Sequence, residues 1–582
     1  MAVNWTREQK QVIEGREKSL LVSAAAGSGK TAVLVERIIQ MITEGENPKD
    51  IDRLLVMTFT RAAAAEMRER IQAAIEKKLE SEPENEHLQQ QAVLVQFAQI
   101  TTIDSFCLHI MREHFDRLDI DPAFRVGDEG EMLLMRADVM DGLLEDYYRD
   151  GGKRYEEFVD AYATGKADGG IAEYVMQVYN FAQSNPWPDA WYEKCREELL
   201  LTEQGELEQT EWMQFLLRDI ALQAQEWKIQ LREAWEICQE TGGPMPYLPM
   251  IEEDLRHAEA VCGAAGSFET ISEALEQFTF SRLAAIRGKN GEVDPEKKAL
   301  VSECRSRVKK AVEKLKGEYL FASPEQMLTD MEAGKERILE LLELAQEFGR
   351  RFRAKKKEKN VVDFHDLEHF ALEILTEPEA ECSEAEETSR AEGTDQMQGK
   401  NAWTVRVPGT VADELAVQYD EILVDEYQDS NLVQETLIQC ISGERFDRPN
   451  VFMVGDVKQS IYKFRLARPE LFLEKYSTYT SEESAHQKIE LHQNFRSRDH
   501  ILESINAIFY RIMTEKLGNI SYTEDAALHP GSAFEERDGL DELKTELLLV
   551  DLSVQPQKET ESPELDDEAA DYTARELEAR MI

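Results

Sequence analysis

A stretch of small residues between an apolar run and a helical pattern constrains the fold of this chain most. Leu20–Ser23 is a short apolar run typical of a buried strand, and a helical pattern extends from Ala32 to about Met41. The residues between them read Ala-Ala-Ala-Gly-Ser-Gly-Lys-Thr. Glycines in such a loop let backbone amides surround phosphates, and the following helix N-terminus adds positive potential. The pattern therefore predicts a phosphate-binding loop at the edge of a parallel α/β sheet.

Two side chains of this loop carry the predicted chemistry. We expect Lys30 to reach the β and γ phosphates of ATP and the Thr31 hydroxyl to bind Mg²⁺. The rest of the loop is expected to hold the nucleotide through its backbone: Ala24, Ala25, Ala26, Gly27, Ser28 and Gly29. Ala24 stands where such loops usually have their first glycine. The alternative is an ordinary small-residue turn with an incidental lysine.

A second strand-like run, Ile422–Val424, ends in adjacent carboxylates. Asp425 is expected to hold the Mg²⁺ shell, and Glu426 to activate the attacking water. Strands often end in solvated acids, which is the alternative interpretation. Combined with a phosphate loop, the pair predicts ATP hydrolysis.

Five runs read as buried strands of one parallel sheet: Ser19–Ser23, Leu54–Thr58, Ile100–Asp104, Glu421–Asp425 and Val451–Asp456. Because the carboxyl ends of parallel strands share one edge, the polar residues there should converge on one cleft. They are Lys30, Thr58, Asp104, Asp425 and Asp456.

The predicted fold is α/β, with a RecA-like parallel-sheet domain at residues 1–125 and 355–482 and an all-helical insertion at 126–354. Strand-like runs at Lys488–Leu491 and Glu546–Leu552 predict the start of a second RecA-like domain at 483–582. Residues Cys382–Gly409, rich in Glu, Ser, Thr and Gly, are expected to form a disordered loop.

Composition argues against a nucleic-acid partner. Asp and Glu number 116 against 67 Lys and Arg, so the net charge is −49. Such a chain should repel DNA unless positive charge is gathered locally. The seven cysteines form no Cys-x-x-Cys pair, and no apolar run is long enough to cross a bilayer. These features predict a cytoplasmic protein without a membrane segment or a metal other than Mg²⁺.

Five further segments resemble, in order, the motifs of UvrD-like superfamily-1 DNA helicases: Trp5–Gln9, Thr58–Ala63, Thr101–Phe106, Gly455–Arg465 and Gln493–Ser497. The resemblance implies that Gln9 bonds the adenine edge and that Phe495 packs against adenine. It also implies that Gln459 senses the γ phosphate and that Arg496 contacts it from the second motor domain. Glu426, Gln459 and Arg496 are thus the expected catalytic residues.

The same resemblance implies contacts with single-stranded DNA from Thr58, Phe59, Thr60, Arg61, Thr102, Tyr462, Phe464 and Arg465. Aromatics in polar loops beside arginines make stacking platforms, and each stacked base contributes roughly 1–3 kcal/mol whatever its identity. By pattern alone, the alternation from Ile461 to Phe464 favours a half-buried strand, and Phe59 could equally be a core residue.

Within that family, three segments resemble the AddA subunits of bacterial AddAB helicase–nucleases: Leu21–Ala26, Phe364–Leu367 and Leu466–Glu470. The resemblance implies 3′-to-5′ translocation in double-strand-break repair, single-stranded and duplex DNA as ligands, and an AddB-like nuclease partner. The later helicase motifs and the nuclease signature are not found, so we expect this chain alone to hydrolyse ATP slowly.

Other interpretations stay open. The chain could be a phosphate-loop ATPase of another class, whose loops at Thr58–Arg61 and Tyr462–Arg465 would be buried, or a truncated, non-catalytic DNA-binding protein. Arg350–Lys359, the densest basic run, fits phosphate contact and a solvated helix face equally well.

Overall fold

The computed structural model describes residues 5–44, 48–163, 169–200, 204–264, 266–286, 293–378, 406–514, 520–534 and 545–547. Its chain divides into two compact units, one formed by Met1–Asp119 with Leu367–Ile582 and the other by Ile120–Asp366. The predicted loop at Cys382–Gly409 and the predicted strand at Glu546–Leu552 lie largely outside the described residues. None of the described helices has the length and apolar content needed to cross a bilayer.

The first unit is built on a six-stranded parallel sheet. Its strands are β1 (Ser19–Ala24), β2 (Leu54–Thr58), β3 (Ile100–Thr102), β8 (Glu421–Val424), β9 (Val451–Gly455) and β10 (His486–Leu491). They lie in the order β10-β1-β9-β8-β2-β3, and every neighbouring pair is parallel. All five runs predicted as strands are confirmed, with ends shifted by one or two residues. β3 is the shortest, because the Thr102 hydroxyl caps the helix that begins at Ile103.

The sheet is buried on both faces, as helix-covered parallel sheets are. Alternate residues of a strand point to opposite faces. Leu20 and Val22 pack in a cluster with Val12, Ile38 and Met67 from three helices, and the intervening Leu21 is equally buried. The helices of this unit are α1 (Arg7–Glu14), α2 (Lys30–Thr43), α3 (Arg61–Ser81), α4 (Glu86–Leu94), α5 (Ile103–Glu113), α16 (Phe364–Leu375, which begins in the other unit), α17 (Thr410–Gln418), α18 (Leu432–Ile441), α19 (Pro469–Thr478) and α20 (Asp499–Ile512).

One predicted assignment is wrong. The pattern at Lys488–Leu491 predicts the opening of a second sheet within residues 483–582, but β10 is an edge strand of the first sheet, parallel to β1. Val22 lies opposite Ile489 across this pair, so the apolar residues of β10 complete the cluster above. Three short pairs complete the strands: β4 (Arg125–Val126) with β5 (Val361–Val362), β6 (Thr376–Pro378) with β7 (Arg406–Pro408), and β11 (Gln493–Asn494) with β12 (His529–Pro530).

In its described residues the second unit is helical apart from the β4–β5 pair. It begins six residues before the predicted insertion and ends twelve residues after it. One aromatic-rich cluster includes Tyr179, Phe348 and Phe352, and a second is built around Trp227. The helices are α6 (Glu129–Asp150), α7 (Gly152–Tyr162), α8 (Gly169–Gln183), α9 (Pro188–Glu198), α10 (Gln204–Gln209), α11 (Glu211–Gln239), α12 (Leu248–Gly263), α13 (Phe268–Gln277), α14 (Pro295–Tyr319) and α15 (Pro324–Glu358).

The basic run Arg350–Lys359 occupies the end of α15, where several of its cations are already paired. Arg351 bonds Glu347 and Asp146, each at 2.7 Å. Lys356 is buried between Asp363 and Asp366, 3.1 and 2.6 Å from their carboxylates. These pairs belong to the fold of the unit and reduce the positive charge that the run offers to a phosphate.

A buried carboxyl group links α16 to α18 in the first unit. Gln434 Nε2 donates to Glu368 Oε1 at 2.7 Å. Burial, and next the charge of Asp104, raise the pKa of Glu368 to about 7, although hydrogen bonds from Gln434 and Asn431 oppose the shift. A carboxyl group in this position is neutral over part of the physiological pH range.

We expect Glu368→Gln to stabilise the fold at pH 8 and to lose that advantage at pH 5. The folded chain holds a proton on Glu368 up to about pH 7, whereas the unfolded chain releases it near pH 4.5. The contribution of this carboxyl group to the free energy of unfolding therefore falls as the pH rises between these two values. The stabilisation should be about 2 kcal/mol larger at pH 8 than at pH 5. Calorimetric unfolding at both pH values measures it, with exposed Glu373→Gln on the same helix as the control. An equal effect of Glu368→Gln at both pH values would contradict the assignment.

Candidate nucleotide site and strand-contact surface

The predicted phosphate loop connects β1 to α2 and has a conformation that only glycine adopts easily. Gly27 and Gly29 have φ values of +70° and +83°. α2 begins at Lys30, and its N-cap, Gly29, provides no side-chain cap. The first amides of α2 are therefore available to an anion, as in other phosphate loops.

The segment after β10 holds this loop in place. Asn494 Nδ2 donates to the Ala26 carbonyl at 2.7 Å, and the Phe495 amide donates to the Gly27 carbonyl at 2.9 Å. A Cβ atom on Gly27 would lie 2.7 Å from Asn494 Nδ2, so this glycine is also required by a close approach. The motif containing Asn494 is visible in the sequence, but its contact with the loop is not, because the two segments are more than 460 residues apart.

Lys30 and the acids after β8 meet at the carboxyl edge of the sheet, as predicted. Lys30 Nζ lies 2.9 and 3.2 Å from the two carboxylate oxygens of Glu426. Burial, and next the charge of Glu426, raise the pKa of both Asp425 and Asp429 to about 6. Glu426 itself has a positive φ of 51°, a strained backbone of the kind that clusters at functional sites.

This group of oxygens suits a hard divalent cation. Thr31, Asp425, Glu426 and Asp429 line one cavity of about 490 Å³. Burial and then the charge of Glu426 raise the pKa values of Asp425 and Asp429, and a cation in the cavity would favour their ionised forms. Mg²⁺ prefers a few carboxylate and hydroxyl oxygens together with phosphate oxygens. The residues proposed to hold Mg²⁺, Thr31 and Asp425, therefore fit that ion.

Gln428 links the acids to the segment after β9; it directly follows the acidic pair and Tyr427 in the sequence, but the pattern assigns it no role. Its Nε2 donates to Glu426 Oε2 at 2.8 Å, and its Oε1 accepts from the Asp456 amide at 3.0 Å. Gln459, in turn, donates to Asp456 Oδ2 at 2.7 Å. A Cβ atom on Gly455 would lie 2.3 Å from Gln428 Oε1, so the glycine leaves room for this amide. Glu426 and the segment Asp456–Gln459 are thus held by one buried side chain.

Two aromatic side chains, Phe59 and Tyr462, line the same cavity, and Phe464 lies next to Tyr462. The Phe59 and Tyr462 rings lie 4.8 Å apart, and those of Tyr462 and Phe464 lie 5.9 Å apart. Phe59 is 39% exposed and Phe464 is 75% exposed. The alternation from Ile461 to Phe464 does not form a strand, since Lys463–Arg465 is a short 3₁₀ turn. We call Phe59, Tyr462 and Phe464 the aromatic surface.

The other predicted DNA contacts are divided between surface and interior. Arg61 is exposed, and Thr60 caps α3 through a bond from the Ala63 amide. Thr58 is only 2% exposed and donates to the Thr60 carbonyl at 3.0 Å. Thr102 is likewise buried and caps α5. The buried hydroxyl groups of Thr58 and Thr102 therefore stabilise the loops through hydrogen bonds to the chain itself in this structure. The Arg465 side chain lies outside the described residues.

Gln9 and Phe495 line a second, smaller cavity of about 200 Å³, which we call the base cavity. The Gln9 amide is already engaged there, because it accepts from the Thr6 amide at 2.9 Å and donates to the Ser28 carbonyl at 3.0 Å. Arg496 is exposed, and its backbone amide donates to Asn494 Oδ1 at 2.8 Å. Its predicted phosphate contact stays a prediction.

Residues 5–480 match the family model of the UvrD/REP helicase N-terminal domain. The chain belongs to the UvrD/REP helicase family. Its α/β unit is accordingly a RecA-like parallel-sheet domain that is interrupted by a large helical insertion, as the sequence predicted.

Relatives of this UvrD/REP chain include proteins named as the A subunits of ATP-dependent helicase/nucleases. The one from Lachnoclostridium phytofermentans is 43% identical over all of this chain and 42% of its own length. Those from Clostridium botulinum and Bacillus licheniformis are each 40% identical over 99% of this chain and 45% and 44% of their own lengths. The chain thus spans less than half the length of these relatives.

We expect Gln428→Ala to lower kcat for ATP hydrolysis roughly tenfold with little change in KM, because an ill-positioned Glu426 affects the transition state more than nucleotide binding. Steady-state kinetics of the complete gene product in which this sequence lies would measure the effect. Gln434→Ala, which also removes an amide bonded to a carboxylate, is the control for loss of stability and should leave kcat unchanged. Equal losses in both variants would show that Gln428 has only a structural role.

Proposed function

We propose that this chain is the ATP-binding and first DNA-binding part of an ATP-dependent DNA helicase motor. The supporting observation is that one cavity of about 490 Å³ is lined both by Thr31, Asp425 and Glu426 and by Phe59 and Tyr462. A site for nucleotide phosphates thus adjoins an exposed stacking surface. This arrangement suits a protein in which nucleotide hydrolysis changes the affinity for a DNA strand.

The proposed chemistry at the nucleotide end uses side chains in separate roles. Lys30 binds the β and γ phosphates once the nucleotide replaces Glu426 as its partner, and Glu426 then accepts a proton from the attacking water. Gln459 and Arg496 contact the γ phosphate, Arg496 from the second motor domain that we propose for residues after β10. Mg²⁺ held by Thr31 and Asp425 would neutralise phosphate charge.

The proposed DNA grip depends on stacking more than on charge. Phe59, Tyr462 and Phe464 offer rings to bases, and Arg61 and Arg465 offer cations to the backbone. Stacking contributes roughly 1–3 kcal/mol per base and tolerates any sequence, as a motor that moves along DNA requires. It also allows a chain of net charge −49 to bind DNA without a broad basic face.

We further propose, from the names of its relatives, that the complete protein is an AddA-type component of a helicase–nuclease. It would unwind duplex DNA by 3′-to-5′ movement in double-strand-break repair, together with an AddB-like nuclease partner in the cytoplasm. Free thiols at the six described cysteines are consistent with a reducing compartment.

The two alternatives receive less support. A phosphate-loop ATPase of another class would need the aromatic surface buried, yet Phe464 is among the most exposed aromatic side chains. A non-catalytic DNA-binding protein has no need for two adjacent carboxylates that line a cavity, one of them bonded to both a lysine and a glutamine.

Phe464→Ala is expected to reduce stimulation of ATP hydrolysis by single-stranded DNA about tenfold, because one stacked base is lost. ATPase assays of the complete gene product with and without an oligonucleotide measure this. Phe97, also 75% exposed, lies in the turn after α4, and Phe97→Ala is the matched control that should leave stimulation intact. Lys30→Ala should abolish turnover. Hydrolysis insensitive to DNA in the unmodified protein would favour the alternative ATPase.

A further inference from the structure

The base cavity contains a buried hydroxyl group that lacks a partner. Ser28 is 1% exposed, and its Oγ makes no hydrogen bond within the described part of the chain. An unsatisfied buried hydroxyl costs roughly 1–3 kcal/mol, so a partner is expected from a ligand. The cavity, at about 200 Å³, is smaller than the sites of drug-sized molecules, ~300–1,000 Å³, and suits a single ring system.

His529 lines this cavity from a segment that no motif covers. β12 pairs with β11, with His529 opposite Gln493, and the His529 amide donates to the His492 carbonyl at 3.2 Å. Next to it, the Gly531 amide donates to the Asn494 carbonyl at 2.8 Å. A Cβ atom on Gly531 would lie 2.7 Å from the Phe495 ring, so this glycine lets the two segments meet. His529 is therefore fixed to the same segment that holds the phosphate loop.

The hydrogen bond of the imidazole determines what His529 can offer to a ligand. Nε2 lies 3.2 Å from the Glu524 carbonyl oxygen, which can only accept, so Nε2 carries the proton. In the neutral ring, Nδ1 is then an acceptor. Adenine presents an exocyclic amine as a donor where guanine presents a carbonyl acceptor. His529 lines this cavity, and an Nδ1 acceptor directed at a base there would favour adenine.

Gln9 is held in place by two hydrogen bonds, one from the Thr6 amide and one to the Ser28 carbonyl. Each bond leaves one lone pair on Oε1 and one N–H on Nε2, so Gln9 can also contact a base. The Ser28 hydroxyl and the His529 ring add to this capacity without breaking a bond between described residues of the cavity.

We propose that His529 and the Ser28 hydroxyl read the polar edge of the nucleobase, so that His529 determines selectivity for ATP over GTP. This inference rests on the proposed function, since it takes the base cavity as part of the ATP site. Phe495 provides the apolar wall against which the base packs, and His492 lies beside His529 with ring centroids 6.2 Å apart.

The test uses the complete gene product and the affinities of ATP and GTP, each labelled on the ribose with a fluorophore. His529→Ala and His529→Phe should both reduce the ratio of ATP to GTP affinity about five- to tenfold, because both remove the acceptor. His529→Asn, which retains an acceptor oxygen, should keep most of the selectivity. The matched control is His486→Ala, which should change neither affinity. His486 is the first residue of β10 and pairs with Glu444.

Ser28→Ala separates binding from folding. It removes an unpartnered group, so the thermal unfolding midpoint without nucleotide should not fall, while ATP affinity should fall severalfold.

The contradicting outcomes are distinct. Equal weakening of ATP and GTP by His529→Ala, no change in either, or an unmodified protein without preference for ATP would overturn the inference and leave the proposed function standing. An unmodified protein that binds no ATP would overturn both.

Discussion

Crowding of three carboxylates at the carboxyl end of β8 is the constraint on which the rest of the site depends. Asp425, Glu426 and Asp429 share a partly buried space, and burial together with mutual repulsion raises the pKa values of Asp425 and Asp429 to about 6. Lys30 offsets part of this repulsion through its ion pair with Glu426. Such an arrangement holds electrostatic repulsion that a bound cation can relieve. The glycines of the phosphate loop, the strained backbone of Glu426 and the Gln428 amide all serve to maintain it.

Gln428 extends that constraint to the aromatic surface. It bonds Glu426 on one side and the Asp456 amide on the other, and Gln459 bonds the Asp456 carboxylate. A few residues later, the same segment carries Tyr462 and Phe464. Hydrogen bonds and a short stretch of backbone therefore connect Glu426 to the aromatic surface, and we infer that a change in the position of Glu426 would alter the position of these rings.

The central strands and the phosphate loop were predictable from the sequence, because both have strong local causes. Fully buried parallel strands are continuous apolar runs, and the loop needs glycine at positions such as Gly27. The sequence does not predict which sheet β10 joins. Its pairing with β1 depends on contacts between residues that lie hundreds of positions apart in the chain. Thr58 was placed in the right loop, but whether its hydroxyl faces solvent or a carbonyl is a tertiary property. The role of Gln428 is not predictable for the same reason, since its partner Asp456 follows a different strand, β9.

Reciprocal linkage between nucleotide and strand tests the central claim most directly. The affinity of the complete gene product for a fluorescent single-stranded oligonucleotide would be measured alone and with a saturating non-hydrolysable ATP analogue. The account predicts a change of at least about threefold in the dissociation constant, with saturating oligonucleotide changing the affinity for the analogue by the same factor. Gln428→Ala should reduce both changes. Identical oligonucleotide affinity with and without the analogue would contradict the coupling of the phosphate site to the aromatic surface.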